Sequence, residues 1–323
     1  MMKKTPPQNN YYSNRKFNVA KHKHHTRLKS IELTTDVIED FLDQVKTIDI
    51  QSLEYVPFLR FCLADKLLKS LGEEFFHIIT QTIYDRASGG FTINFNSACT
   101  DHDGFIKLGT AVAHLLGAAN HDAMSGTFFA KFSVKHSDNS DSYLRQAYRL
   151  FTLHTDGTFV DEQTDWLLMM KFSQQHAVGG ESRVLHLDDW LEIDTYADNP
   201  IGRLPFEYKA PSSKNANDKV YRPLFFNNEF GLCISFIDQF IQPKTIEQGV
   251  FLRDLSQSME VSKGTKQLPL PIGGIIVLNN HFWLHGRAPF EENIQLHRVL
   301  MRQRGAFAPL KYQQLSGGVN VCE

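Results

Sequence analysis

The residues most able to do chemistry lie in two short segments that are far apart in the chain. Residues 153–158 contain His154 and Asp156 at positions i and i+2, and residues 282–287 contain His285. Alternate side chains of an extended strand point to the same face, so His154 and Asp156 would converge on one point. If His285 arrives there from a second strand, two imidazoles and one carboxylate share one side of a metal ion. That donor set, with the opposite positions open, is typical of non-haem Fe(II) oxygenases.

The strength of this pattern depends on its surroundings, because a lone His-x-Asp pair is weak support for a metal site. The chain has 14 histidines, and a histidine is more often a hydrogen-bonded core or surface residue than a ligand. Gly157 follows the pair directly and would let the backbone approach the site closely. His285 follows a predicted strand at residues 275–278 and a short polar connection. Because Zn²⁺ accepts the same ligands, a zinc-dependent hydrolase is the alternative class of enzyme.

Two arginines downstream point to a carboxylate ligand. A predicted strand at residues 300–307 carries Arg302 and Arg304, which share one face because they are two positions apart. A planar guanidinium can grip a carboxylate through two parallel hydrogen bonds. The cosubstrate 2-oxoglutarate needs such a cation, because its keto-acid end chelates the iron and its far carboxylate must also be bound. Taken alone, the arginines fit a solvated sheet face equally well; with the triad they favour an oxygenase that uses 2-oxoglutarate and O₂.

The elements that must position these residues change in character along the chain. Up to about residue 126, apolar periodicity predicts helices at 37–42, 58–68 and 109–117, with one strand at 90–95. From residue 127 onward, short strands alternate with glycine-rich turns, at 128–134, 165–172, 183–187, 275–278 and 300–307. Further helices are predicted near 188–196 and 245–262. This order of elements predicts an α+β, mainly β protein whose core is a sandwich or barrel.

Composition limits the partners of the chain. It has 323 residues, of which 42% are hydrophobic and 25 are Phe, so it can bury a large core. The net charge of −2 favours neither nucleic acid nor an anionic membrane. The sequence contains no run of 18 apolar residues, so we predict no transmembrane helix. The four cysteines have no CxxC spacing, which is typical of reduced thiols and predicts a cytoplasmic protein.

The N-terminal residues differ from the remainder in composition. Residues 1–27 are polar and basic, with Lys and His concentrated at 21–25, and they lack the apolar stretch of a secretory signal. We predict a flexible tail there, with a histidine-rich metal-binding tract as the alternative. Residues 28–323 are then predicted to form a single catalytic domain, helical in its N-terminal part to about residue 126.

Several longer motifs indicate a family. The segments concerned are residues 138–146, 153–158, 185–190, 237–240, 282–287 and 300–305. With them the chain resembles the carbon-starvation-induced glutarate 2-hydroxylases over roughly residues 30–310, whereas the N-terminal tail and residues 96–105 depart from the pattern. The resemblance implies an Fe(II)/2-oxoglutarate-dependent dioxygenase with a double-stranded β-helix (jelly-roll) core. It also implies hydroxylation of glutarate to L-2-hydroxyglutarate in lysine catabolism, and assembly as a homotetramer.

The resemblance also implies roles for single residues. His154, Asp156 and His285 match the iron ligands, and Arg302 and Arg304 match the strand that holds carboxylates. Which arginine takes 2-oxoglutarate and which takes the substrate stays open. A dicarboxylate substrate needs a polar group at its other end as well. The candidates are Tyr143 and Arg145, for which a structural hydrogen bond or a surface ion pair is an equally good interpretation. Another small carboxylate in place of glutarate is the alternative substrate.

Overall fold

The computed structural model of the chain describes residues 10–95, 101–122, 126–136, 146–209 and 219–309. Within these residues the helices are α1 (Thr35–Gln44), α2 (Ile50–Tyr55), α3 (Phe58–Leu71), α4 (Glu73–Tyr84), α5 (His102–Leu116), α6 (Ile193–Ala197), α7 (Pro200–Arg203) and α8 (Ile246–Val261). The first nine strands are β1 (Asn10–Ser13), β2 (Phe17–Lys21), β3 (Lys29–Leu33), β4 (Gly90–Asn94), β5 (Gly117–Ala119), β6 (Ala130–Lys135), β7 (Phe151–His154), β8 (Trp166–Gln175) and β9 (Ser182–His186). The others are β10 (Pro205–Lys209), β11 (Lys219–Pro223), β12 (Phe225–Asn228), β13 (Gly231–Ile234), β14 (Ile241–Gln242), β15 (Lys266–Leu268), β16 (Ile275–Asn279), β17 (Trp283–Arg287) and β18 (His297–Phe307).

Two sheets form the jelly-roll core. The larger one has the strand order β1-β2-β3-β4-β16-β8-β18-β5, and β6 also pairs with β18. The smaller one has the order β15-β9-β17-β7. All of these strand pairs are antiparallel apart from β3 with β4. The predicted α+β, mainly β class with a double-stranded β-helix core is therefore confirmed.

Strand β16 shows why the apolar runs of the sequence become buried strands. All five of its residues are buried. Ile275 and Val277 belong to the hydrophobic core under the N-terminal helices, whereas Ile276 and Leu278 belong to the second core. Alternate side chains thus enter two different cores, which is why this strand is continuously apolar instead of alternating with polar residues.

The N-terminal helices cover the outer face of the larger sheet. Helix α5 is the innermost of them, since every residue from Gly104 to Leu116 is buried. It begins where the carboxylate of Asp101 accepts a hydrogen bond from the backbone N–H of Gly104, and it ends at Gly117. A Cβ at Gly117 would lie 2.1 Å from the carbonyl oxygen of Ala306, so only glycine allows the helix to stop against β18.

The structure corrects the predicted N-terminal organisation. Strands β1 and β2 pair with each other, and β2 pairs with β3 in the larger sheet, so the predicted flexible tail of residues 1–27 is wrong from residue 10 onward. Phe17 and Val19 are buried, which explains the order of β2 despite its basic neighbours. The predicted helical part up to residue 126 also contributes β1 to β5, and β4 lies directly beside β16.

Other predicted elements agree more closely. The helices at 58–68 and 245–262 and the strands at 165–172, 183–187 and 275–278 are confirmed as α3, α8, β8, β9 and β16. The helix predicted near 188–196 is shorter, because a 3-10 turn at Leu187–Asp189 precedes α6. Among the described residues, no helix is both long and apolar enough to cross a membrane.

Candidate metal centre

The three predicted metal ligands come together at the end of the smaller sheet. His154 ends β7 and His285 lies in β17, and the two residues are directly opposite each other in the antiparallel register. Their ring centroids are 4.1 Å apart. Asp156 follows two residues after His154, and one ligand atom from each of the three residues lies within 4.8 Å of the others. This spacing allows all three atoms to contact one metal ion.

The backbone around Asp156 is held by a buried amide. The side-chain oxygen of Asn280, in the turn between β16 and β17, accepts a hydrogen bond from the backbone N–H of Asp156 at 2.9 Å. Its amide nitrogen donates to the carbonyl oxygens of Asp156 at 3.0 Å and of Thr164 at 2.9 Å. Gly157 has a φ of +75°, and a Cβ there would lie 2.2 Å from Oγ1 of Thr164. The turn that presents Asp156 therefore depends on both Asn280 and Gly157.

The donor atoms of the triad fit a divalent metal ion. Nδ1 of His154 donates a hydrogen bond to the carbonyl oxygen of Thr152 at 2.8 Å, so Nε2 of the neutral ring carries the free electron pair. Oδ2 of Asp156 is buried and has no hydrogen-bond partner among the described residues. A buried carboxylate oxygen without a partner is costly, and a bound cation would satisfy it.

The electrostatics of the triad favour metal binding at neutral pH. Burial, and then the neighbouring His154, lowers the pKa of His285 to about 3. Burial also lowers the pKa of His154, so both imidazoles are neutral and available as ligands. Burial alone would raise the pKa of Asp156, but the guanidinium groups of Arg302 and Arg304 hold it well below its usual value. The carboxylate is thus ionised.

We expect the amide of Asn280 to control metal affinity. In Asn280→Ala the backbone N–H and C=O of Asp156 lose their partner, and the carboxylate loses its fixed position. Loss of a group that orients a metal ligand typically costs about 10–100-fold in metal affinity. The measurement is Fe(II) or Zn(II) titration of the variant. Asn199→Ala is the matched control, because the side chain of Asn199 accepts a hydrogen bond from the backbone N–H of Ile201 at the start of α7, away from the triad; equal losses in both variants would contradict the assigned role.

Arg302 and Arg304 both lie on the inner face of β18, as predicted, but their environments differ. Nη1 of Arg302 donates to Oδ1 of Asp156 at 3.0 Å, and Nη2 donates to Oδ2 of Asp122 at 2.7 Å. Arg304 is buried, and within the described chain its guanidinium has no ion pair and its Nε has no hydrogen-bond partner. Burial lowers the pKa of Arg304. Arg302 therefore already serves two carboxylates, whereas Arg304 can accept a new one.

Sequence reasoning missed a third arginine of the same strand. Arg298 is buried and lines one cavity with His154, His285 and Arg302. Its Nη1 donates to the carbonyl oxygen of Gly180, but within the described residues it has no ion pair and its Nε has no partner. Burial lowers the pKa of Arg298 to about 10. The sequence did offer an indication of this residue. Arg298 is four residues before Arg302, so an earlier start of the strand would place both side chains on the same face.

The walls of this cavity suit a short aliphatic chain with charged ends. Its apolar lining consists of Phe132, Val134, Phe151, Met169, Leu300 and Met301. The two histidines of the triad and Arg302 lie on it together with Arg287 and Arg298. The last two guanidinium groups lie 5.3 and 5.5 Å from the ring centroid of Phe290. Tyr143 and Arg145, the other predicted substrate contacts, lie outside the described residues.

Solved structures with the same fold define the class. The chain is similar to an asparagine oxygenase in complex with Fe(II), 2S,3S-3-hydroxyasparagine and succinate, with a TM-score of 0.70 and 13% identity over 88% of this chain and 96% of that one. It is also similar to the non-heme iron oxygenase OrfP in complex with Fe and alpha-ketoglutaric acid, with a TM-score of 0.64 and 15% identity over 88% and 96% of the two chains. The fold is thus that of the jelly-roll non-haem iron oxygenases, and the triad supplies the donor set that this class of enzyme requires.

Closer relatives give the family. The chain is 45% identical to a glutarate 2-hydroxylase of Citrobacter koseri over 285 residues, which cover 87% of this chain and 88% of that protein. It is 43% identical to a glutarate 2-hydroxylase of Klebsiella pneumoniae over 295 residues, or 90% and 91% of the two chains. The CsiD family model matches residues 17–307. The chain therefore belongs to the CsiD family, and the resemblance indicated by its motifs is confirmed.

Proposed function

We propose that this chain is an Fe(II)- and 2-oxoglutarate-dependent dioxygenase that hydroxylates glutarate at C2. In the overall reaction, glutarate, 2-oxoglutarate and O₂ give L-2-hydroxyglutarate, succinate and CO₂. The observation that carries the proposal is the cavity lined by His154 and His285, two ligands of a triad that Asp156 completes, together with Arg298, which has no ion pair among the described residues. The relatives named glutarate 2-hydroxylase support the substrate.

The residues of the chain divide the chemical work among them. When bound to His154, Asp156 and His285, ferrous iron would supply the O₂ chemistry that couples oxidative decarboxylation of 2-oxoglutarate to hydroxylation of the substrate. Arg302 keeps Asp156 ionised through their hydrogen bond of 3.0 Å. The apolar walls exclude water from the reacting groups, which limits unproductive reactions.

The arginines provide separate receptors for carboxylates. We assign the far carboxylate of 2-oxoglutarate to Arg298, because that residue lines the same cavity as the two histidines. We assign a carboxylate of the substrate to Arg304, which lies six residues further along β18, or about 20 Å at 3.3 Å per residue. Arg302 lies between the two and is held by Asp122 and Asp156. We thus keep the predicted role of Arg304 as a carboxylate receptor, and we assign the role predicted for Arg302 to Arg298, because Arg302 is already paired with two carboxylates of the protein.

The proposal is tested by the identity of the product. Full-length protein loaded with Fe(II) should convert glutarate, in the presence of 2-oxoglutarate, to L-2-hydroxyglutarate with one succinate released per turnover. Under anaerobic conditions, a weak visible charge-transfer band should form with Fe(II) and 2-oxoglutarate and shift when glutarate is added. A zinc-dependent hydrolase would instead be active with Zn(II) and release no succinate, so the two classes of enzyme are separated directly.

We expect the enzyme to discriminate dicarboxylates by length. We propose Arg304 as the partner of one substrate carboxylate and keep Tyr143 or Arg145, as the sequence predicts, as the partner of the other. Partners at both ends of a five-carbon diacid fix the distance between them, so a diacid that is one carbon shorter or longer leaves the buried Arg304 imperfectly paired. That costs more than a missing apolar contact. Chiral product analysis with glutarate, succinate and adipate in competition measures the preference. Oxidation of another substrate without any L-2-hydroxyglutarate would contradict the glutarate assignment and leave the oxygenase assignment intact.

We further propose that the described residues from Asn10 onward act as one catalytic domain, and that the protein works in the cytoplasm as a homotetramer in lysine breakdown. A single domain is supported by the larger sheet, because the N-terminal strands β2, β3 and β4 belong to the same sheet as β18.

The tetramer is supported by exposed apolar side chains. Tyr55 and Phe58 are 72% and 66% exposed, and burial against another copy would remove this apolar surface from water. Light scattering gives the mass, and a monomer would contradict the tetramer.

A further inference from the structure

A basic groove lies outside the metal centre, between the turn that follows β2 and the loop that precedes β15. Its volume is about 420 Å³, within the range of roughly 300–1,000 Å³ found for small-molecule sites. Its lining includes Lys23, Lys263 and Lys266 and the histidines His22, His24 and His25. Residues 22–25 of the Lys/His-rich tract line this groove, and the proposed reaction does not use them.

The charge of the basic groove is not balanced by the described residues. Asp189 is the carboxylate among its described lining residues. Both of its oxygens already accept hydrogen bonds from Arg27, from Nε at 2.9 Å and from Nη2 at 2.8 Å. Lys23, Lys263 and Lys266 make no ion pair with any residue in the described ranges. Three positive charges therefore share one concave surface, which concentrates anions there.

The walls of the groove are built by contacts between distant parts of the chain. A Cβ at Gly264 would lie 2.2 Å from the carbonyl oxygen of Asp189, so the two backbones are in close contact. Nζ of Lys266 donates to the carbonyl oxygen of Lys263 at 2.7 Å, so the side chain of Lys266 is fixed to the backbone of the loop before β15. His25 packs edge-on against Trp283 with ring centroids 4.9 Å apart. The backbone on both sides of the groove is thus packed against other parts of the fold, namely Trp283 of β17 and the carbonyl group of Asp189.

The histidines fit an anion better than a metal ion. Burial, and then the neighbouring His24 and His25, lowers the pKa of His22 to about 4. Burial also lowers the pKa of His25 to about 4, and its buried Nε2 has no hydrogen-bond partner in the described part of the chain. Among the described residues, His22, His24 and His25 do not form a group with the geometry of a metal site. Nδ1 of His25 accepts a hydrogen bond from the backbone N–H of Arg27 at 3.3 Å, so Nε2 of the neutral ring carries the proton and can donate it to an oxyanion.

We propose that the basic groove binds a small anion with two or more negative charges, in which phosphate or carboxylate oxygens are held by Lys23, Lys263 and Lys266. Lysine ammonium groups bind such oxygens as point charges and offer three donors each. This proposal depends on no residue of the metal centre, so failure of the proposed reaction would leave it intact.

The test uses calorimetric titration of the full chain, loaded with Zn(II) as a redox-inert stand-in for iron. The probes are inorganic phosphate and the tricarboxylate tricarballylate, which distinguish the two sources of oxyanion. In the triple variant Lys23→Gln, Lys263→Gln, Lys266→Gln the affinity should fall roughly tenfold or more, because each lost contact is a charge-assisted one. The matched control is Lys46→Gln, Lys69→Gln, Lys209→Gln, which makes the same charge change at exposed lysines elsewhere and should alter the affinity less than about twofold.

A second measurement needs no variant. In histidine NMR spectra of the wild-type chain, the probe that binds should shift the resonances of His22 and His24 in a saturable way and leave those of His154 and His285 in place. Binding of either probe with this pattern supports the proposal, and the probe with the higher affinity identifies the oxyanion. The absence of saturable binding by both probes, or an equal loss of affinity in the control variant, would overturn it.

Discussion

Replacing any one of His154, Asp156 and His285 by Ala is expected to abolish iron-dependent formation of succinate from 2-oxoglutarate. Each residue supplies one of three ligand atoms that lie within 4.8 Å of one another, so each variant leaves an incomplete site. Loss of a group that only orients a ligand already costs about 10–100-fold in metal affinity. Loss of the ligand itself should therefore lower turnover by more than about a hundredfold. Succinate release and bound iron, measured on the same samples, check this expectation.

The fold should survive these three substitutions. In Asp156→Ala the guanidinium of Arg302 keeps its hydrogen bond to Asp122, so no new unpaired charge is buried. His297→Ala is the matched control, because His297 lies on β18 and contacts Ser133 outside the metal centre. It should retain both iron and turnover. Full succinate production by all three ligand variants would mean that the metal-site assignment is wrong.

The convergence of the triad is the part of the site that the sequence predicts best. Period-two alternation places His154 and Asp156 on one face, and the apolar run at 275–278 predicts the strand before His285. The pairing of His154 with His285 across β7 and β17 agrees with that expectation. The roles of these residues as ligands remain predictions, which the substitutions above test.

Other parts of the structure depend on contacts that a single sequence does not reveal. Strand β2 is short, and its order comes from pairing with β3. The amide of Asn280 is 124 residues away from Asp156 in the chain, and no local periodicity connects the two. In the same way, Arg302 meets Asp122 only because β18 passes close to the loop after β5. Long-range register, and not local propensity, decides all three features.

The arginine strand illustrates how an error in an element boundary hides a site residue. The sequence predicts a strand at 300–307, whereas β18 is eleven residues long and begins at His297. The three added positions include Arg298, which the strand then aligns with Arg302 and Arg304 on its inner face. Boundaries are difficult to predict because strand ends depend on the partner, here β6 and β8.

Substituting lysine for each arginine of β18 is expected to separate the binding of the two dicarboxylates. Lysine keeps the positive charge but loses the planar fork that holds a carboxylate through two hydrogen bonds. Such a loss costs about 1–3 kcal/mol, or roughly five- to 150-fold in affinity. Arg298→Lys should therefore weaken 2-oxoglutarate, because Arg298 lines the cavity of the two histidines. Arg304→Lys should weaken glutarate and leave the affinity for 2-oxoglutarate within about twofold.

Arg302→Lys is expected to behave differently from both, since Arg302 already binds Asp122 and Asp156. With a single ammonium group replacing a guanidinium that spans two carboxylates, Asp156 is held less firmly, so iron affinity should fall along with turnover. Each variant is titrated separately with 2-oxoglutarate, glutarate and Fe(II) under anaerobic conditions. Arg60→Lys is the control, because Arg60 is a half-buried arginine that donates to the carbonyl oxygens of Leu53 and Glu54, away from the metal centre. If Arg298→Lys and Arg304→Lys bind both dicarboxylates as tightly as this control does, other residues are the carboxylate receptors.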